Sequence, residues 1–208
     1  MIEVEVRGKI ENFEKTLEEF RKKAKFVEEK DRFTLLFARP GLSLSDALKK
    51  ETLKNEKVDL KVRITNKKPE IVLKYGYVKG SEGRKEILIP IKSEDFDKAV
   101  ELFKFLEWNK GKIQATKTFV FIYQEIEFAL VKTNILDYFE AEKVVHEKGD
   151  IDKILEEIKE VCNEFNLNPV KEEEFFEILD EFNKHEERVF DLTKQNLEEI
   201  KEKWKEYF

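Results

Sequence analysis

Glu3, Glu5 and Arg7 alternate with Ile2, Val4 and Val6 at the start of the chain. In a strand, alternate side chains share one face, so two carboxylates about 7 Å apart face the same way, close enough to share a divalent cation. The same alternation recurs. Lys61 and Arg63 alternate with Leu60, Val62 and Ile64; Lys74 lies between Leu73 and Tyr75; Arg84 and Glu86 oppose Ile87 and Ile89. Lys117 follows in a later segment, and Glu140 and Glu142 flank Ala141.

Acids and bases of like parity on several strands would line one surface. Such a lining suits a triphosphate, which carries about four negative charges and leaves water only where several cations and hydrogen bonds replace its hydration. Arg gives two-pronged contacts to phosphate oxygens and Lys a point charge. Carboxylates alone would repel this substrate, so Glu3, Glu5, Glu140 and Glu142 are expected to hold Mg²⁺ or Mn²⁺. Lys61, Arg63, Lys74, Arg84 and Lys117 are the expected phosphate ligands.

The elements that must position these residues can be read from periodicity. Residues 2–9 predict a strand, and Asn12 caps a helix with Phe13, Leu17, Phe20 and Ala24 at helical spacing. Arg32 to Ala38 is a second strand, ended by Pro40-Gly41, and Leu42 to Lys57 reads as a loop or short helix. Asp59–Thr65 and Glu70–Tyr77 form a hairpin around Asn66-Lys67-Lys68-Pro69. Arg84–Ile91 is a strand, and Ser93 caps a helix carrying Phe96, Val100, Phe103 and Leu106. Thr116–Tyr123 and Ile126–Val131 form another hairpin, Tyr138–Val145 the last strand, and all from Asp150 onward reads as helical. The expected fold is α+β: a closed antiparallel eight-stranded β-barrel, a tunnel covered by amphipathic helices. Residues 1–168 would be the tunnel domain and 169–208 a C-terminal helical extension that caps the barrel mouth or mediates dimerisation.

Composition sets the outer limits. The 208 residues are 40% apolar with 18 Phe, ample for a core, and 41% charged, a balance seen in proteins from hot environments. A net charge of -6 argues against coating nucleic acid in bulk. The single Cys162 fits a reducing cytosol and reads as a small buried hydrophobe on an apolar helix face. His146 and His185 lack metal-ligand spacing; Trp108, Trp204 and the Phe stripes read as packing residues. With no signal-like or membrane-length apolar run, the protein is expected to be cytoplasmic.

The ionic segments resemble the signature of the CYTH superfamily, the triphosphate tunnel metalloenzymes, which includes class IV adenylate cyclases and thiamine and inorganic triphosphatases. Glu3-Val4-Glu5-Val6-Arg7 resembles its opening Glu-x-Glu-x-Lys strand; Leu60-Lys61-Val62-Arg63 its Leu-Arg-Ile-Arg strand; Lys74 the lysine that follows. Arg84-Lys85-Glu86 resembles Arg-x-Glu, and Tyr138-Phe139-Glu140-Ala141-Glu142 the closing Phe-x-Glu-Ile-Glu. The order is kept over roughly residues 1–145. The resemblance implies metal-dependent triphosphate hydrolysis or adenylate cyclisation, with Arg7 and Glu86 in catalytic positions, Glu86 orienting a base or water. The chain departs from the pattern at Arg7, which replaces lysine and cannot accept a proton, and at Phe128-Ala129-Leu130, where an aspartate is usual. Glu127 is the nearest acid, its parity unsettled by the sequence. Leu136 replaces a glycine, and Lys117 stands where an arginine is usual. These departures motivate an alternative, a non-catalytic binder of nucleotides, polyphosphate or RNA 5′ ends.

Overall fold

In the computed structural model, residues 2–41, 57–76, 85–145, 151–171, 174–175 and 185–208 are described. The elements are β1 (Ile2–Lys9), α1 (Phe13–Lys23), β2 (Lys25–Phe37), β3 (Lys57–Thr65), β4 (Lys68–Gly76), β5 (Lys85–Pro90), α2 (Phe96–Phe105), β6 (Lys110–Tyr123), β7 (Ile126–Lys132), β8 (Tyr138–Val145), α3 (Ile151–Glu164), β9 (Val189–Asp191) and α4 (Leu197–Lys203). The strands are antiparallel in the order β1-β8-β7-β6-β2-β3-β4-β5, with β9 beside β6. The sheet is not closed: among the described residues β1 and β5 end the order rather than pairing. Charge alternation specifies which face a residue takes, and it carries no information about edge pairing. No described helix is long and apolar enough to cross a membrane.

The chain divides into two compact units, Met1–Lys30 with Thr116–Lys184, and Asp31–Ala115 with His185–Phe208. In the first, Val4, Val6, Phe119, Phe121, Phe128, Leu130, Phe139 and Ala141 form the apolar sheet face, covered by Phe13, Leu17 and Phe20 of α1 and Ile158, Val161 and Cys162 of α3. Asn12 caps α1, its side chain accepting from the Lys15 amide. Phe20 stacks on Phe165 at 3.9 Å between centroids and tilts against Phe128 at 5.0 Å and Phe121 at 5.4 Å. Phe20→Ala removes a fully buried ring from this cluster and is expected to cost about 3–5 kcal/mol, read as a lower chemical-denaturation midpoint with an unchanged slope. Cys162 is buried here, and burial pushes its thiol pKa up to about 12, so it packs as the sequence predicts. Gly8 is a packing requirement: a Cβ would lie 2.3 Å from the Asn168 carbonyl oxygen.

In the second unit Phe33, Leu35, Phe37, Val62 and Ile64 are covered by Phe96, Val100 and Phe103 of α2. Phe190 of β9 and Ile200 and Trp204 of α4 belong to the same core. The tail is therefore not wholly helical, since Val189–Asp191 pairs with Lys110–Lys112. The β3–β4 hairpin turns on two residues, Asn66 and Lys67 (φ 48 and 64), a tighter turn than the four-residue one predicted. β2 begins at Lys25, not Arg32, because its charged first half shows no period-2 burial. Ser93 starts a 3-10 turn rather than capping α2 through its side chain. The predicted loop falls mainly on residues 42–56, outside the described residues, as do His146 and residues 172–173 and 176–184 of the stretch predicted as helical.

Candidate functional site: an acidic row and a basic face

In the first unit, β1 pairs β8 so that Glu5 opposes Glu142 and Arg7 opposes Glu140; β8 pairs β7 so that Glu142 opposes Glu127 and Glu140 opposes Ala129. Directly opposed residues share a face and lie about 5 Å apart at Cα. Glu5, Glu142 and Glu127 thus form an unbroken row of acids on the face opposite the core residues Val4, Val6, Ala141 and Phe128, with Glu140 one position along. Glu127, whose parity the sequence leaves unsettled, joins the row. The two-residue Gln124-Glu125 turn (φ 49 and 63) fixes the β6–β7 register and with it the parity of Glu127. Glu3 pairs through its backbone with Val144.

Arg7, on the same face, reaches two of these acids. Its Nε donates to Glu5 Oε1 at 2.7 Å and its Nη2 to Glu5 Oε2 at 2.6 Å, while Glu140 Oε1 lies 3.2 Å from Nε. Its guanidinium stands 5.4 Å from the Phe175 ring centroid, and its backbone oxygen accepts from the Val170 amide at 2.8 Å. Arg7 does not neutralise the row. Burial outweighs it, Glu140 and Glu142 add repulsion, and Glu5 is pushed up to a pKa of about 7. The folded chain therefore keeps a proton that the unfolded chain releases between pH 4.5 and about 7. That contribution is fully present below pH 4.5 and lost as pH rises through about 7, roughly 3 kcal/mol in all. Denaturation midpoints measured across this range should fall with rising pH, and Glu5→Gln should flatten the fall.

Carboxylate oxygens are the donors that hard divalent cations take, and the surplus negative charge fits such an ion. Among the described residues, however, no three metal-ligating groups converge on one point, and both Glu5 oxygens are already taken by Arg7.

In the second unit, β2, β3, β4 and β5 are in a register that sorts their side chains into rows. Arg63 lies between Thr34 and Glu70; Lys61 lies between Leu36 and Val72; Asp59, Lys74 and Glu86 oppose one another in turn. All lie on the face opposite the core residues Val62 and Ile64. Arg63 bonds Glu70 Oε1 through Nε and Nη2, each at 2.7 Å, and Lys74 lies 3.4 Å from Glu86. Lys112, buried and with its ammonium pKa lowered by burial, alternates with the core residue Ile113 and so takes this face by parity. With Arg32 opposite Thr65, the bases on this face include Arg32, Lys61, Arg63, Lys74 and Lys112, and its acids include Asp59, Glu70 and Glu86. Sequence reading missed Asp59, Glu70 and Lys112, although parity on β3 and β4 carried the first two.

One expected phosphate ligand, Lys117, does not share the charged face. Lys117 shares the face of Phe119 and Phe121, opposite to the acidic row; it pairs with Glu29 at 2.6 Å and sits 5.6 Å from the Phe119 ring centroid. Counting along β6 from the buried aromatics decides its side, a step that likeness of residue type passes over. Arg84 lies outside the described residues.

No protein-family model and no curated protein matches the sequence. Solved structures do. A Pyrococcus horikoshii protein is 20% identical, with a TM-score of 0.59, over 86% of this chain and 99% of its own. A Vibrio parahaemolyticus protein described as a candidate adenylate cyclase is 13% identical, TM-score 0.56, over 82% of this chain and 94% of its own. A Hippeastrum protein, a candidate adenylyl cyclase described as having a dominant triphosphatase activity, is 14% identical, TM-score 0.50, over 85% and 96%. At these identities the likeness is one of fold.

Proposed function

We propose that the chain is a triphosphate-processing enzyme of the CYTH kind that works with Mg²⁺ or Mn²⁺. The observation that carries this reading is the acidic row, in which Glu5, Glu142 and Glu127 oppose one another with Glu140 beside them; the second unit, taken by itself, carries a face rich in bases. Likeness in fold to proteins described as adenylate cyclase and triphosphatase supports it. Glu127, Glu140 and Glu142, with Glu3 as the matching motif residue, would hold the cation, which when bound supplies positive charge against the phosphate oxygens.

Lys61, Arg63 and Lys74 neutralise the phosphates, with Arg84 as the matching motif residue; Lys112 adds a further charge. Glu70 holds the Arg63 fork in place, and Glu86 holds Lys74. Arg7 serves as a positioning residue for Glu5 rather than a proton acceptor, since guanidinium does not deprotonate at working pH. Hydrolysis is the simpler reaction for this set, because cyclisation also requires a ribose hydroxyl to be oriented. Phosphate release from tripolyphosphate, ATP and thiamine triphosphate, with Mg²⁺ and with Mn²⁺, tests the reading. Release from at least one supports it; tight binding without release leaves a non-catalytic binder, and neither removes both.

A further inference from the structure

We infer that Arg7 competes with the divalent cation for Glu5, so that the strength of metal binding in this chain is set by an arginine–metal exchange. The inference rests on the proposed metal-binding role of the acidic row and deepens it.

The Glu5 carboxylate has two oxygens, and each accepts a short hydrogen bond from a different nitrogen of one guanidinium. A carboxylate held this way presents few lone pairs to an incoming ion, and the bidentate pair is among the stronger ion pairs available to a protein. The guanidinium is itself held. Arg7 lies against the Phe175 ring, its backbone is bridged to Val170, and its Nε reaches Glu140 as well. To give Glu5 to a metal, the chain must break the fork and move a restrained cation away from Glu5 and Glu140. Lysine at this position would place one charge through a flexible stem and could satisfy only part of the carboxylate.

Charge conservation makes the claim testable. Arg7→Lys keeps the formal charge and removes the fork. If charge alone mattered, its Mn²⁺ affinity would equal that of the native chain; the exchange predicts binding about tenfold tighter, the equivalent of one charge-assisted hydrogen bond. Free Mn²⁺ can be followed by electron paramagnetic resonance, which needs no turnover. Glu142→Gln serves as the control. If R7K matches the native chain within about twofold while E142Q weakens binding, the exchange is wrong and the metal reading stands. If the native protein, R7K and E142Q all fail to bind Mn²⁺, the metal reading falls and the exchange with it. Should R7K not fold, Glu5→Gln decides instead. Exchange predicts that E5Q lowers Mn²⁺ affinity less than E142Q does, and a loss as large as that of E142Q overturns it.

Discussion

Glu142→Gln should lower triphosphate turnover by about a thousandfold while the chain stays folded, a loss of the size seen when a group that stabilises developing charge is removed. Glu142 is the middle acid of the row, directly opposite both Glu5 and Glu127. It keeps its shape as glutamine but no longer offers a charged oxygen to a cation. Its stability effect should run the other way. Like charges directly opposed across strands repel, and Glu142 is one of the groups that raise the Glu5 pKa. At pH 8 the variant should therefore be slightly more stable than the native chain, by about 0.5 kcal/mol. A gain in melting temperature with a collapse in turnover marks a residue kept for function. Equal losses in both would mark a structural one.

Arg63→Met should weaken tripolyphosphate binding by about a hundredfold, the worth of a two-pronged charge-assisted contact. The Arg63 and Glu70 side chains are only 15% and 20% exposed. Removing the arginine alone strands the glutamate, and a loss of about 3 kcal/mol in stability is expected from that cause. The double variant Arg63→Met with Glu70→Gln separates the two effects. It should recover most of the stability and none of the affinity. Recovery of both would mean that Arg63 acts on the fold and not on the phosphate.

Much of this site could be read from parity. The strands around Glu5, Arg63 and Glu140 bury one side, so alternation alone placed their charges correctly. Where both sides of a strand are polar the signal vanishes, which is why the first half of β2, from Lys25 to Asp31, went unread. Glu127 required the register of its hairpin, and that register depends on a two-residue turn containing no glycine. Lys117 matches a phosphate ligand by residue type alone, while its parity with Phe119 and Phe121 puts it on the apolar face. The Arg7–Glu5 fork lies two residues apart on one strand, yet geometry, not spacing, shows that both oxygens are engaged. Edge pairing was the least legible feature, since nothing in the alternation of β1 or β5 names a partner strand.

The most direct test is calorimetric titration of inorganic tripolyphosphate into the native protein, once with Mn²⁺ and once with chelator. The account predicts saturable binding near a micromolar dissociation constant with Mn²⁺, weaker by about tenfold or more without it. No saturable heat in either condition would contradict it.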